Sequence, residues 1–372
     1  MKIKGIIYDT GMKFAKFSTK RTISNKKLKE EFQLIKNDLN CNAIGFHGSS
    51  VDEIINVANI ALRIGLDVWL FPRFINKGNR STIDLLSRCA KKAEKLRDEY
   101  ENIIFSIGDE LSVNSTVIFS GRMYVDRVRR LRNYIRFKDA YIDVLGNNIP
   151  SWFLRDKSKA RIIHQHLGEF LDKNELKELS PIGKEIGKYL KKKQETLDKF
   201  VLELVNISRK FFKGKITYSA GWWEEIDWKL FDIIGVGLYL GQGNWFTYDK
   251  FFKELKRYGK PVIATEFGAA TFKYASMYGG GAWTIFNKFE VERDEKEQAE
   301  HIERQFKLLK KAKIEGCFLY NFTDGTRIHI KNPKNYKEDN DRGGYGIMKV
   351  LPNGCIKPKK AFYTLKKCYS NI

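Results

Sequence analysis

The chain has 372 residues, with 68 Lys and Arg against 45 Asp and Glu, for a formal net charge of +23. Its 42% hydrophobic content is ordinary for a globular protein and excludes disorder as the main state. No run approaches the ~18 consecutive apolar residues of a membrane-spanning helix, and the length fits about two ordinary domains or one α/β barrel with an insertion.

Short β-branched runs alternate with amphipathic stretches along the chain. Residues 3–8 read as a strand and 25–39 as a helix. Next come a strand at 43–47, a helix at 51–64, a strand at 67–72, a Lys- and Glu-rich helix at 81–100 and a strand at 103–108. Downstream, strands are predicted at 216–220, 233–239, 260–266 and 316–322, with helices at 186–212, 248–258 and 293–313. Continuous rather than alternating hydrophobicity marks strands buried on both faces, hence a parallel sheet. Eight such strands, most followed by a helix, predict an α/β fold of the (β/α)8 barrel type. The competing doubly wound sheet places a Gly-rich phosphate turn after its first strand. Here that turn is Asp9-Thr10-Gly11-Met12, without the glycine pattern.

One connection is too long for a barrel. Between the fourth and fifth strands, 186–212 serves as an ordinary barrel helix, and 112–185 is read as an inserted, basic, mainly helical segment within a single domain spanning 1–372. It carries a helix with Arg122, Arg127, Arg129, Arg130, Arg132, Arg136 and Lys138 against Asp126. Residues 113–215 hold 23 basic and 12 acidic side chains, nearly half of the whole excess. The charge has two readings at this stage: a polyanion partner, or a compositional background of the kind seen in Lys-rich, heat-adapted proteins.

The cysteines Cys41, Cys89, Cys317, Cys355 and Cys368 are odd in number and form no CxxC pair, so neither a disulfide framework nor a zinc site is expected. Isolated thiols, with no apolar signal segment near Met1, lead to the expectation of a cytoplasmic protein. His164 and His166 flank Gln165 and read as a loop pair. A metal-dependent barrel hydrolase needs several His or Asp ligands at strand ends, and only Asp9 and His47 offer themselves. No metal or other cofactor is expected.

In barrels of this type the chemistry sits at the C-terminal ends of the strands. Strand four ends in Gly108-Asp109-Glu110-Leu111 and strand seven in Ala264-Thr265-Glu266-Phe267-Gly268. A carboxylate at the end of an apolar strand is costly to desolvate. Two at one barrel mouth form a pair suited to glycoside hydrolysis, one as acid and base, the other as nucleophile; either one alone is as easily a structural carboxylate.

The placement of these glutamates resembles the clan A retaining glycoside hydrolases. Ile107-Gly108-Asp109-Glu110-Leu111 resembles the clan's Gly-Asn/Thr-Glu-Leu. Ile216 to Trp223 and Phe231 to Tyr239 resemble strands five and six of its β-mannanase-like members, and Lys260 to Gly268 resembles the nucleophile strand. Tyr345-Gly346-Ile347-Met348, Asn353-Gly354 and Lys357-Pro358 look like its closing hairpin before the last helix. The resemblance implies Glu110 as acid/base and Glu266 as nucleophile. The chain departs from the pattern at Asp109, where the family has an Asn that donates to a sugar hydroxyl. A carboxylate only accepts, and it raises the pKa of a neighbouring Glu. The Trp common at the end of strand eight is Tyr320, with Asp324 four residues on.

Further residues are expected around the pair. The Tyr239 hydroxyl is placed to hold Glu266 ionised, or else Tyr239 plugs the barrel mouth. Trp222, Trp223, Trp228, Trp245 and Trp283 follow strand ends or lie in the loops after them, where flat rings suit sugar faces, though at least half are expected to belong to ordinary packing. Asp9, His47 and Arg73 end the first three strands and point polar groups at the same mouth. Glu224, Glu225 and Asp227 read as loop or secondary-site carboxylates.

The expected activity is retaining hydrolysis of a β-linked glycan, with carbohydrate as the partner and an anionic ligand conceivable at the basic insertion. No membrane is expected, nor nucleic acid, since no RNA-recognition signature is present. The alternative is a catalytically reduced barrel that binds a polyanion through its insertion.

Overall fold

A computed structural model of the chain describes residues 1–14, 17–145, 180–241, 248–286 and 289–371; for 139–145 and 180–184 it describes the backbone. All eight predicted strands are present: β1 (Ile3–Asp9), β2 (Ala43–Gly48), β3 (Asp67–Pro72), β4 (Ile103–Asp109), β5 (Ile216–Gly221), β6 (Ile234–Gly237), β7 (Val262–Phe267) and β8 (Gly316–Leu319). They pair in parallel in sequence order, and β8 closes onto β1, making a (β/α)8 barrel.

The continuous apolar runs follow from burial on both faces. Alternate residues divide between two cores. Tyr8, Phe46, Leu70 and Phe105 point outward to the helices, whereas Ile7, Trp69, Phe71, Ile263 and Phe318 fill the barrel interior. Glycines make room for these large inner side chains. A Cβ on Gly5 would lie 2.3 Å from the Phe318 ring, and one on Gly45 would lie 2.6 Å from Ile7. The inner layer is a sealed apolar plug, so two residues further along the same face the next inward positions, Asp9, His47 and Arg73, stand on top of it.

The outer helices are α1 (Asn25–Gln33), α2 (Val51–Ile64) and α3 (Asn79–Arg97), then α4 (Tyr124–Leu145), α5 (Ser180–Phe211), α6 (Tyr248–Lys256), α7 (Glu295–Lys311) and α8 (Lys360–Ser370). Their starts are chemically marked. Ser24, Ser50 and Asp294 cap α1, α2 and α7 by accepting backbone N–H groups. The C-terminal tail adds a small sheet over one side of the barrel, with β9 (Thr323–Ile328) and β11 (Ile356–Pro358) flanking β10 (Met348–Val350). The antiparallel β10–β11 pair is the expected hairpin; β9 was not foreseen.

Within the expected insertion, α4 is a real helix. One face, Arg127, Leu131, Tyr134 and Lys138, is buried, with Tyr134 and Phe137 against Tyr189 of α5. The centre of the insertion, including His164 and His166, lies outside the described residues, as does Trp245. No described helix is long and apolar enough to cross a membrane. The five cysteines are free thiols, all buried except Cys355.

Candidate active site

Local backbone geometry turns both glutamates to the mouth of the barrel. The β4–β5 register shifts between Ser106 and Asp109, and the β6–β7 register shifts between Val236 and Gly237. Such irregularities re-aim consecutive side chains. Glu110 then takes a left-handed conformation, φ 37°, which is uncommon for a residue with a Cβ and costs on the order of 1–3 kcal/mol. The turn that follows, Leu111–Asn114, is fastened by Glu224. This buried carboxylate accepts from the N–H groups of Ser112 and Gly221 and from the Tyr218 hydroxyl. The Tyr218 oxygen in turn accepts from the N–H of Leu111 at 2.7 Å. Glu224 therefore holds the turn that holds Glu110.

Gly237, paired across the sheet with Glu266, lies beside both glutamates. A Cβ placed on it would be 3.8 Å from Glu110 Oε1 and also 3.8 Å from Glu266 Cβ. The two side chains therefore stand no further apart at these atoms than twice that distance, with a glycine leaving the gap clear.

Their surroundings differ. Glu266 Oε2 accepts from the Tyr239 hydroxyl at 2.8 Å, and its Oε1 is 3.2 Å from Arg73 Nη2. Burial raises its pKa to about 7, against the opposing pull of Arg73 and the tyrosine hydroxyl. Among the described residues the Glu110 carboxyl has no hydrogen-bond partner. Its pKa lies well above the usual range, first through burial and then through the nearby charges of Asp109 and Glu266. Both causes favour the protonated form of Glu110. The Tyr239 phenol is also pushed well up, by burial and by Glu266, and remains a donor.

Asp109 is 1% exposed. Arg73 pairs with it through Nε and Nη2, and Asn114 Nδ2 donates to Asp109 Oδ2 at 3.1 Å. It sits behind Arg73 and does not line the cleft. His47 is fully buried, with Nδ1 3.5 Å from Glu266 Oε1 and its ring edge-on to Phe71. Burial, and then Arg73, lower its pKa well below the usual value, so it is neutral. It too supports the cleft from behind.

Asp9, Arg73, Glu110, Tyr239, Glu266 and Tyr320 form the floor of a cleft of about 1570 Å³. Trp222, Trp223 and Trp283 line its walls. Trp223 is fixed by its indole N–H on Ser112 Oγ, and Trp283 stands 6.1 Å from Tyr124 between ring centres. Trp228 is buried against Phe231 and belongs to the core. Asp9 accepts from the N–H of Gly11, and Asp324 from those of Tyr345 and Gly346; both carboxylates shape loops while reaching the cleft. Glu225 pairs with Lys138 at 3.0 Å in full burial.

Several lining residues escaped the sequence reading. Tyr124, Val128, Arg132 and Arg136 come from α4, Phe14 and Phe17 from the loop after β1, and Tyr278 and Tyr345 from later loops. The helical spacing of 124, 128, 132 and 136 was a signal, but nothing in the sequence said which face of α4 meets the barrel.

Two clusters have the composition of metal sites, His47 with Asp109 and Glu266, and His329 with Asp339 and Asp341. Neither fits a cation. Arg73 already bridges Asp109 and Glu266, and Asp341 is held by Lys359 at 2.8 Å and Arg293 at 2.7 Å.

No family model and no curated protein matches the chain. Solved structures share its fold. A GH113 β-1,4-mannanase aligns over 100% of both chains with 16% identity and a TM-score of 0.56. The GH113 β-mannanase AaManA from Alicyclobacillus acidocaldarius aligns over 100% of this chain and 97% of its own, with 13% identity and a TM-score of 0.55. The β-glucuronidase 2 of Bacteroides uniformis aligns over 99% of this chain but only 35% of its own, with 13% identity and a TM-score of 0.55. At these identities the likeness is one of fold alone, that of a (β/α)8 barrel.

Proposed function

We propose that the protein is a retaining glycoside hydrolase acting on a β-linked glycan. The feature that carries this reading is the contrast between two glutamates in one cleft: Glu266 is held by a cation and a phenol, while among the described residues the Glu110 carboxyl has no hydrogen-bond partner and its burial beside other carboxylates favours the protonated form. Glu266 attacks the anomeric carbon as Glu110 passes its proton to the departing glycosidic oxygen. A covalent glycosyl–Glu266 ester forms. Glu110, now ionised, takes a proton from water, whose oxygen attacks the same carbon and releases Glu266. Retention requires the two carboxyl groups to stand ~5–5.5 Å apart, and the proposal predicts that separation for Glu110 and Glu266.

Arg73 takes over the task expected of an Asn at position 109. Its Nε and Nη2 are spent on Asp109 and Glu266, but Nη1 has only a weak contact with Met12 Sδ at 3.6 Å. It lines the cleft as a donor for a sugar hydroxyl. Asp109, expected to bind substrate, works through Arg73 in this scheme.

The β-1,4-mannanase neighbours make β-mannan the first substrate to try. Proton NMR of the first-formed product should show the β anomer. Glu110→Gln should lose about 10²–10⁴-fold in rate. An inverted product, or a loss of only a few-fold in Glu266→Gln, overturns the assignment.

A further inference from the structure

The cleft wall changes character with distance from the glutamates. Among the described residues its carboxylates are Asp9, Glu110, Glu266 and Asp324, which belong to strand ends or to the start of β9. Beyond them the wall carries Arg132 and Arg136 of α4 and Arg327 of β9, with no acidic side chain among the lining residues there. The remaining cations of α4 are otherwise engaged or turned away. Arg127 is wholly buried, bonded to the carbonyls of Val113 and Gly121 and to the side chain of Asn76, and Lys138 is buried with Glu225. Arg129 and Arg130 are exposed and do not line the cleft.

Arg132 and Arg136 are one helical turn apart on the cleft face. Tyr124 sits close enough to the catalytic centre for Glu110 to be the leading charge acting on its phenol. At 1.5 Å per residue the two arginine Cα atoms lie roughly 12 and 18 Å further along the helix. Arg132 lines the cleft, with Nη2 3.5 Å from Oγ1 of Thr284, the residue after the cleft-lining Trp283. Arg327 lies over the Phe286 ring. A flat ring for a sugar face, with guanidinium forks beside it, matches a sugar that carries an anionic group.

We propose that the cleft selects an anionic glycan, with Arg132 and Arg136, faced by Arg327, binding carboxylate, sulfate or phosphate groups on sugars away from the bond that is cut. This rests on the glycosidase reading for the word substrate, but the binding claim can be tested without turnover.

The probes are β-1,4-mannan, β-1,4-polymannuronate, a phosphorylated mannan and poly(U) RNA, with binding and hydrolysis measured on the full chain. Wild type is expected to bind at least one acidic polymer about tenfold more tightly than neutral mannan, a difference of about 1.4 kcal/mol. The preferred polymer tells carboxylate from phosphate ester. Arg132→Gln/Arg136→Gln should abolish the preference for the acidic polymer over mannan, while Arg129→Gln/Arg130→Gln, with the same loss of net charge, should keep it. A neutral preference, equal loss in both double variants, or tighter binding to RNA than to either acidic glycan overturns the proposal. Acidic glycans bound through Arg132 and Arg136 but never cut would sink the hydrolase reading and leave this one standing. Mannan cleaved with retention and no effect of the two arginines would do the reverse.

Discussion

At the scale of single residues, the site is built on one cation among three carboxyl groups. Arg73 balances Asp109 and partly Glu266, so the least costly place for a proton is Glu110. The proposed mechanism needs Glu266 ionised and Glu110 protonated. The rate should therefore fall below a limb near pH 7, as Glu266 takes up a proton, and fall again at higher pH as Glu110 loses its own. These limbs belong to the coupled pair. The kcat/KM profile checks this, and a flat profile between pH 5 and 9 would contradict it. The same shifts act on stability. Both folded pKa values lie above the unfolded carboxyl value, so the contribution is complete below about pH 4 and is lost as pH rises toward the folded values. Glu110→Gln should raise the Tm at pH 8 and have little effect at pH 4, by about 2 °C for each kcal/mol relieved. Gly237 offers a different probe. An added methyl meets nothing closer than 3.8 Å, so Gly237→Ala should fold normally, yet it stands at the cleft lining beside both glutamates. Its kcat/KM should fall by about a hundredfold with Tm unchanged; unchanged kinetics would place the reaction elsewhere.

At the scale of elements, α4 decides what the cleft can bind, and Arg127 decides where α4 sits. The Arg127 guanidinium is the clasp between the helix and the segment after β4. Arg127→Met keeps the bulk but leaves those acceptors without a donor, at about 1–3 kcal/mol for each group that water cannot reach. A lower Tm and faster amide exchange over 111–136 are expected, with KM rising more than kcat falls. Unchanged exchange would show that α4 docks by its apolar face alone. The elements also show what a sequence can disclose. The eight barrel strands were legible because burial on both faces leaves continuous apolar runs, as in Val68 to Phe71 and Val262 to Ala264. Glu110 and Glu266 were legible because carboxylates closing such runs are unusual. The turn of Asp109 away from the cleft was not legible. It depends on a strand irregularity and on Arg73 arriving from another strand. Nor was the anchoring role of Glu224, which looked like one more loop carboxylate until Tyr218 and the backbone of Leu111 and Ser112 met it in space. The cleft face of α4 depends on which side packs against α5, a tertiary choice that an Arg-rich helix does not declare.

For the whole molecule, the +23 divides into parts with different work. Some cations are structural. Arg127 and Lys138 are buried, and Arg293, Lys349 and Lys359 join Glu295 and Asp341 in a network that ties the tail sheet to α7. Arg73 belongs to the floor of the cleft. Arg132, Arg136 and Arg327 look into the cleft, and exposed lysines supply the remaining background. The fold likeness to β-mannanases and a β-glucuronidase extends over this whole chain, but the proposed chemistry rests on two glutamates. The most direct test is to incubate the enzyme with 2-deoxy-2-fluoro-β-glycosyl fluorides of manno, gluco and glucurono configuration and to locate the adduct by tandem mass spectrometry. At least one should label Glu266, and the label should be absent in Glu266→Gln. A label on another residue, or no label while glycosides are turned over with inversion, would contradict the assignment of Glu266 as nucleophile.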